Sequence, residues 1–240
     1  MSALVSRTVF ERLPHLEDEV AYLFQAKTLV GGQLVVETPQ PRRAYWQPFV
    51  VDFAETGRRF GKYSLGWPLL LAPGVLAGQP WIVNALCAGL SVALVHRLGR
   101  TLFGPDTGLI AAALTAFSPM ALLLNGTLMG HTTALTCVLV FMYALLRIER
   151  GQRALWWGAA GGLAMVLIVI NRPLTAIGIG MPFVIWSALR LLRAARRGWK
   201  PFGHVLRPLL LLAVITLVIS AAIPIYNAAA TGDPAKNLYT

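Results

Sequence analysis

Three consecutive carboxylates, Glu17, Asp18 and Glu19, open a segment whose apolar residues recur at helical spacing. Carboxylates in the first turn of a helix favour it by about 0.3–1 kcal/mol through the helix dipole, which would account for them on structural grounds alone. The chemical alternative is that Asp18 or Glu19 points into a cleft and acts as a general base on a hydroxyl group. Tyr22 and Gln25, one and two turns after Asp18, would then share its face of the helix.

A lysine and a tyrosine, Lys62 and Tyr63, lie where a polar stretch of the chain gives way to an apolar one. A lysine at such a boundary can pair as a point charge with a phosphate group. It can also be an ordinary lysine whose aliphatic stem covers apolar surface while its amine stays in water. The sequence leaves both interpretations open.

A third group of polar residues, Asn125, Thr127 and His131, lies in one short connection between two apolar segments. The histidine could carry a proton, bind a metal ion or make a hydrogen bond at the membrane face. The sequence does not decide among these three roles.

A fourth connection contains Asn171 and Arg172, followed by a proline. Arg172 is the only basic residue predicted on the outer side between residue 63 and the C-terminal tail, so its placement there suggests a fixed anionic partner. A phosphate bound through two parallel hydrogen bonds would be such a partner. The structural alternative is that Arg172 pairs with Asp18, with Glu19 or with a lipid headgroup.

Long apolar segments must position these residues. The chain has 240 residues, of which 56% are hydrophobic and only 13% are charged, whereas soluble domains carry roughly 25% charged residues. A membrane-spanning helix needs about 20 mostly apolar residues. Six segments meet this approximately: 80–98, 107–125, 132–148, 154–170, 174–192 and 207–226. The sequence therefore predicts an all-α fold, a polytopic transmembrane helical bundle.

The basic residues indicate how this bundle is oriented. Arginine-rich connections alternate with connections that hold at most one basic residue, and the rich ones are 97–106, 147–153 and 190–207. Because lysine and arginine accumulate in cytoplasmic loops, the segments 125–131, 171–173 and 227–240 are predicted to face outward, as is the polar region 1–64. The net charge of +11 belongs to this pattern and does not indicate binding to nucleic acid.

Four regions follow from this pattern. Residues 1–64 are predicted to be an extracytoplasmic loop with a short helix over 17–31 and mostly irregular structure over 33–64. Residues 65–79 are apolar but interrupted by prolines, which predicts a helix along the outer interface. Residues 80–226 form the six-helix transmembrane region, and 227–240 begin a further outer loop. An outward region with no preceding span also predicts a transmembrane helix upstream of Met1, and the end at Thr240 predicts a continuation of the chain.

The chain resembles bacterial GT-C glycosyltransferases of families 39 and 83, which include the protein O-mannosyltransferases and the aminoarabinose transferases. The run PHLEDEVAYLFQAKTLVGGQL resembles their first outer loop, in which an Asp-Glu pair is followed by a tyrosine and a helix that ends in glycine. The remaining matching pieces occur in the same order as in that family, and are KYSLGWPLLLAPGVLAGQPWIVN, LFG, SPMALLLNGTLMGHT and NRPLTA.

This resemblance implies a sugar donor linked to polyprenyl phosphate and transfer with inversion on the outer face of the cytoplasmic (inner) membrane, facing the periplasm or the exterior. Asp18 would be the catalytic base with Glu19 beside it. Lys62 and Arg172 would contact the donor phosphate. The residues that could line the site are Tyr22, Tyr63, His131 and Asn171. The chain would be the N-terminal part of a larger bundle.

Two positions depart from the family pattern. His131 stands near where some relatives have a second outer acidic residue, so the resemblance assigns no metal ligands, although a divalent metal stays possible as a cofactor. Ser64 stands where many relatives have proline. The implied partners are the polyprenyl-phosphate sugar, membrane lipids and an acceptor that is a glycan, a lipid or a protein.

Two other functions are compatible with the same residues. A transporter or flippase of a lipid-linked or anionic substrate would also use outward arginine and lysine, but predicts functional charges near the middle of the spans. A non-catalytic assembly subunit predicts that replacing Asp18 with asparagine has no effect.

Overall fold

The computed structural model describes residues 1–236 and 238, without the side chain of Pro201. The chain divides into two compact units, of which one comprises Met1–Thr133 with Ala222–Thr240, and the other Ala134–Ala221. The elements of the first unit, up to the helix that leads into the second, are α1 (Ser2–Thr8), α2 (Glu17–Val30), β1 (Val36–Glu37), a 3-10 helix (Arg42–Tyr45), β2 (Val50–Phe53), β3 (Arg58–Gly61), α3 (Gly66–Leu76), α4 (Ile82–Phe103), α5 (Pro105–Phe117) and α6 (Pro119–Gly126). Then follow α7 (His131–Glu149), α8 (Ala154–Asn171), α9 (Pro173–Ala195) and α10 (Trp199–Ser220), and finally α11 (Ala222–Thr231), which belongs to the first unit.

The apolar helices confirm the predicted polytopic, all-α membrane fold. Within the residues that the structure describes, five stretches are long and apolar enough to cross a membrane, and the bent pair α5 and α6 would make a sixth. The five are α4, α7, α8, α9 and the combined stretch Phe202–Thr231. The six predicted segments therefore correspond to these helices. The second segment, 107–125, differs from the prediction because it forms two helices and not one.

The predicted span 107–125 is broken. Its two halves, α5 and α6, meet at an angle of 56°. Pro119 begins α6, and a proline inside a helix would lack its N–H and clash with the preceding turn, so α5 ends before it. The hydroxyl oxygen of Ser118 accepts a hydrogen bond from the Ala121 N–H at 3.4 Å and caps the new helix.

A small antiparallel sheet lies between two helices of the first unit, with strand order β1–β3–β2. One face packs on α2 at Gly61, where a Cβ would lie 3.2 Å from the Ala21 carbonyl oxygen. On the other face Phe60 is buried with Tyr226 and Ala230 of α11. The sequence analysis expected mostly irregular structure here and missed the sheet, because strands of two to four residues show too little alternation to detect.

The hairpin of β2 and β3 also caps the end of α11. The guanidinium of Arg58 donates hydrogen bonds to the carbonyl oxygens of Ala228 at 3.4 Å and Ala229 at 2.5 Å. A cation is favourable there because the last carbonyl groups of a helix are unpaired and carry partial negative charge. The distribution of basic residues predicts that 1–64 and 227–240 both face outward, and this orientation stays a prediction.

The apolar segment predicted as an interfacial helix over 65–79 is α3. Its Trp67 and Leu71 are fully buried and form a cluster with Tyr22 and Ala26 of α2. Burying each such side chain contributes roughly 1.5–3 kcal/mol, so α3 is fixed to α2 by packing. Its position at the membrane interface stays a prediction.

The second unit is a bundle in which α8 packs closely on α10. A Cβ at Gly158 would lie 2.5 Å from the Pro208 carbonyl oxygen, and one at Gly162 would lie 2.9 Å from that of Leu212. Small residues at these positions let the two backbones approach, which is how membrane helices commonly associate. An apolar groove of about 900 Å³ in this unit is lined by residues of α7, α8, α9 and α10, and Pro173 of α9 is one of them.

Candidate active site

The three carboxylates at the start of α2 have three different environments. Glu17 is exposed, Asp18 is half-buried and Glu19 is only 1% exposed. Successive residues of a helix point about 100° apart, so a helix lying against a surface separates them in this way. The sequence placed all three in the first turn, where they complement the helix dipole, and the structure agrees.

Glu19 holds backbone groups from two parts of the chain. One oxygen, Oε2, accepts from the N–H groups of His15 at 2.7 Å and Leu16 at 3.4 Å. The other, Oε1, accepts from the N–H of Leu128 at 3.0 Å. A buried carboxylate whose two oxygens accept three backbone hydrogen bonds is well satisfied. Glu19 therefore ties the start of α2 to the segment that precedes α7.

Asp18 has a different partner. Its Oδ1 accepts a hydrogen bond from the hydroxyl group of Tyr63. The ring of Tyr63 lies against that of Tyr22, with centroids 4.8 Å apart, and against that of Phe49 at 5.9 Å. Aromatic pairs at these separations fix the orientation of the rings. Asp18 is thus held by a tyrosine that is itself held in place, and it stays partly open to solvent.

Lys62 belongs to the same group of side chains. It follows β3 directly, and its Nζ lies 5.3 Å from the centre of the Phe49 ring. Its backbone N–H donates to the Phe49 carbonyl oxygen at 2.9 Å. Among the residues that the structure describes, no ion pair involves Lys62 or Asp18. The structure therefore brings together Asp18, Lys62, Tyr22 and Tyr63.

The segment from Thr127 to Gly130 is buried beside this group and is held from several directions. The carbonyl oxygen of Leu128 accepts from the Trp67 indole N–H at 2.6 Å. The side-chain amide of Asn84 donates to the carbonyl oxygens of Thr127 and Met129, both at 2.8 Å. Together with the Glu19 contact, these bonds satisfy backbone groups that would otherwise be buried without partners.

His131 begins α7 immediately after this buried segment and is half-buried. It belongs to the first unit and lies three residues after Leu128, whose N–H donates to Glu19. The neighbouring Thr132 hydroxyl donates to the Asn125 side-chain oxygen at 2.7 Å. The polar group that the sequence placed in this connection therefore exists, and the role of His131 stays a prediction.

Asn171 and Arg172 belong to the second unit. Asn171 is the buried last residue of α8, and Arg172 is the half-buried residue between α8 and α9. The Arg172 N–H donates to the Ile168 carbonyl oxygen at 2.7 Å, and its own carbonyl accepts from Ala176 at 3.0 Å. This tight connection fixes the backbone of Arg172, and Pro173 beside it lines the apolar groove of that unit.

The sequence analysis missed Asn84, and it placed Gln25 on the face of Asp18 without identifying the partners of its side chain. Asn84 carries a signal, because a buried polar side chain inside a predicted span marks a structural or functional position. The sequence carries no such signal for the contacts of Gln25. Its side-chain oxygen accepts a hydrogen bond from the Gly61 N–H of β3 at 2.8 Å. Its side-chain nitrogen donates to the Leu34 carbonyl oxygen, in the turn after α2, also at 2.8 Å.

No metal centre is evident in the described part of the chain, where no three His, Cys, Asp or Glu side chains come close enough to hold a metal ion. A divalent metal is therefore not assigned to any residues here, and its involvement stays a prediction.

The profile of the dolichyl-phosphate-mannose-protein mannosyltransferase family matches residues 74–226, well over half of the chain. The chain belongs to this family. This mannosyltransferase family has the GT-C fold, so the match confirms the resemblance seen in the sequence motifs. At the family level the chain is a membrane glycosyltransferase that uses a lipid-linked donor. No curated protein and no solved structure matches it significantly.

The part that matches the mannosyltransferase family contains His131, Asn171 and Arg172. It begins after Asp18 and Lys62, so the roles of these two residues depend on the motif resemblance and on the geometry described above.

Proposed function

We propose that this chain transfers a sugar from polyprenyl phosphate to an acceptor hydroxyl on the extracytoplasmic face of the cytoplasmic membrane, with inversion, and that Asp18 is the catalytic base. The observation that carries this proposal is the difference between the two neighbouring carboxylates. Both oxygens of Glu19 are engaged by backbone N–H groups, whereas Asp18 is half-buried and held by one tyrosine hydroxyl.

The reaction is a single displacement at the anomeric carbon. The acceptor oxygen forms a bond to that carbon on the face opposite the phosphate, while the bond between the carbon and the phosphate oxygen breaks. Asp18 takes the proton from the acceptor hydroxyl, and the electron pair of the broken bond leaves on the phosphate. One displacement inverts the anomeric configuration.

Two basic residues would stabilise the leaving phosphate. Lys62 lies beside the aromatic group that holds Asp18, and as a compact charge it suits the phosphate of a donor. Arg172 stands in the second unit next to Pro173, which lines the apolar groove. A charged group followed by an apolar groove fits a phosphate that carries a prenyl chain, and this supports a donor-binding role for Arg172.

The remaining candidate residues would shape the site. Tyr63 positions Asp18 through its hydroxyl, and Tyr22 positions the ring of Tyr63. Glu19 acts through structure, by fixing the segment that leads to His131. His131 and Asn171 would line the site, and the acceptor is a glycan, a lipid or a protein.

The test is sugar transfer in proteoliposomes with the full-length protein and a panel of polyprenyl-phosphate sugars. Asp18→Asn should lower the rate by about 100-fold or more, since a positioned base contributes 10²–10⁴-fold. Glu17→Gln is the matched control, because it alters an exposed carboxylate of the same helical turn and should keep the wild-type rate.

The results can also contradict the proposal. Equal transfer by wild type and Asp18→Asn would remove Asp18 from the chemistry. No transfer from any donor by folded protein would favour the transporter or flippase. Parallel reactions with a chelator show whether a divalent cation is needed.

A further inference from the structure

A second pocket lies in the first unit, between α2, β1 and the 3-10 helix, and has a volume of about 360 Å³. This is within the lower part of the usual range for small-ligand sites, roughly 300–1,000 Å³. Phe24 of α2 lies six residues after Asp18, which is about 9 Å along the helix axis. The pocket is therefore distinct from the group of side chains around Asp18.

Arg59 lines the pocket and is only 3% exposed. Its Nη2 donates to the carbonyl oxygen of Tyr45, and its guanidinium lies 5.6 Å from the centre of the Phe24 ring. Its Nη1 lies 3.5 Å from Asp52 Oδ1, so the charge is balanced. Within the described part of the chain, however, Nη1 has no hydrogen-bond partner. Arg59 thus has one unused donor, which is itself buried, and no spare charge.

The outer part of the pocket is aromatic and polar. Trp46 is 70% exposed and Tyr45 is 53% exposed, although large aromatic side chains are usually buried. Glu37 and Gln47 also line the pocket and are exposed. The pocket therefore offers flat apolar rings together with one carboxylate, one amide and one guanidinium.

These features select one class of ligand. An anion would face Glu37, and a cation could accept no hydrogen bond from Arg59. A wholly apolar ligand would bury the polar groups without partners, which is costly. A saccharide has an apolar face for an aromatic ring and hydroxyl groups that both donate and accept hydrogen bonds. We propose that this pocket binds one saccharide unit.

The position of the pocket suggests which saccharide this is. Arg59 lies on β3, the strand that leads directly into Lys62 and Tyr63, and Phe24 lies on the helix that begins at Asp18. An oligosaccharide held here can extend along α2 toward Asp18. The binding of a sugar does not depend on the proposed function, but its identity as part of an acceptor glycan rests on it.

The test is sugar binding by the full-length protein in lipid nanodiscs, measured by calorimetry. The probes are methyl glycosides of mannose, glucose, galactose and N-acetylglucosamine, with no lipid-linked donor present. At least one of them should bind saturably. Trp46→Ala and Glu37→Gln should each weaken that binding by about tenfold or more, as loss of an anchoring contact does.

Matched controls are available in the chain. Trp199→Ala removes a tryptophan that is 79% exposed and lies in the second unit, and Glu55→Gln alters an exposed carboxylate outside the pocket. Both should bind sugar as wild type does. Because no transfer is measured, a failure of the proposed catalysis leaves this result unchanged.

Three outcomes would overturn the proposal. The first is that no probe binds to protein with the wild-type melting temperature. The second is that Trp46→Ala and Glu37→Gln bind as wild type does. The third is that the control variants lose binding to the same extent.

Discussion

Replacing Glu19 with glutamine should lower the stability of the protein as well as its activity. In the structure, Oε1 accepts from the Leu128 N–H and Oε2 accepts from the N–H groups of His15 and Leu16. A glutamine has one acceptor oxygen and one donor NH₂ group. Whichever way the amide is turned, a donor faces a backbone donor, so at least one bond is lost and the others lose their charge assistance.

The size of the effect follows from these contacts. A hydrogen bond to a charged group contributes about 1.5–3 kcal/mol, and a buried donor left without a partner costs about 1–3 kcal/mol. The Leu128 bond is buried and the other two are partly buried, so we expect a loss of about 2–4 kcal/mol. For a chain of this size that lowers the melting temperature by roughly 4–16 °C.

The melting temperature can be measured in detergent with a thiol-reactive dye. Unfolding exposes Cys137, which is buried, and Cys87, which is half-buried, and neither is in a disulfide. Glu17→Gln makes the same chemical change at an exposed position and should keep the wild-type melting temperature. Asp18→Asn should also keep it, while losing transfer. The reasoning is refuted if Glu19→Gln melts as wild type does and loses transfer as Asp18→Asn does, because Glu19 would then act in the chemistry itself.

Two further predictions concern the residues that position the site. Tyr63→Phe keeps the ring contacts with Tyr22 and Phe49 but removes the hydroxyl that holds Asp18. Because Asp18 would then be less well positioned, kcat should fall about tenfold with little change in the KM for the donor. An unchanged kcat would show that Asp18 needs no such support. Asn84→Leu removes two bonds to the carbonyl oxygens at 127 and 129 and should cost about 1–3 kcal/mol, measured as a lower melting temperature. Wild-type stability in that variant would contradict the assigned role of Asn84.

The membrane-spanning helices could be predicted because hydrophobicity is a local property of the sequence. Each apolar segment of sufficient length corresponds to helical structure. The span 107–125 is bent at Ser118 and Pro119, and the proline that ends the first helix is visible in the sequence. The α2 helix was also predictable, from its first-turn carboxylates and from Gly31, which follows its last residue.

The small sheet and the supports of the buried segment 127–130 could not be predicted in this way. The strands are short, and their stability comes from α2 on one face and from α11 on the other. Arg58, which joins the hairpin to α11, contacts a carbonyl 171 residues away. No local pattern contains information about such a partner.

The sequence by itself determined the membrane fold, the alternation of basic connections, and a short list of polar residues that could do chemistry. Only the tertiary structure decided how two adjacent carboxylates differ. Glu19 meets a backbone N–H that lies 109 residues further along the chain, and Asp18 meets a hydroxyl 45 residues away. Neighbouring residues of a helix point in different directions, so the groups that surround each of them depend on how the rest of the chain packs.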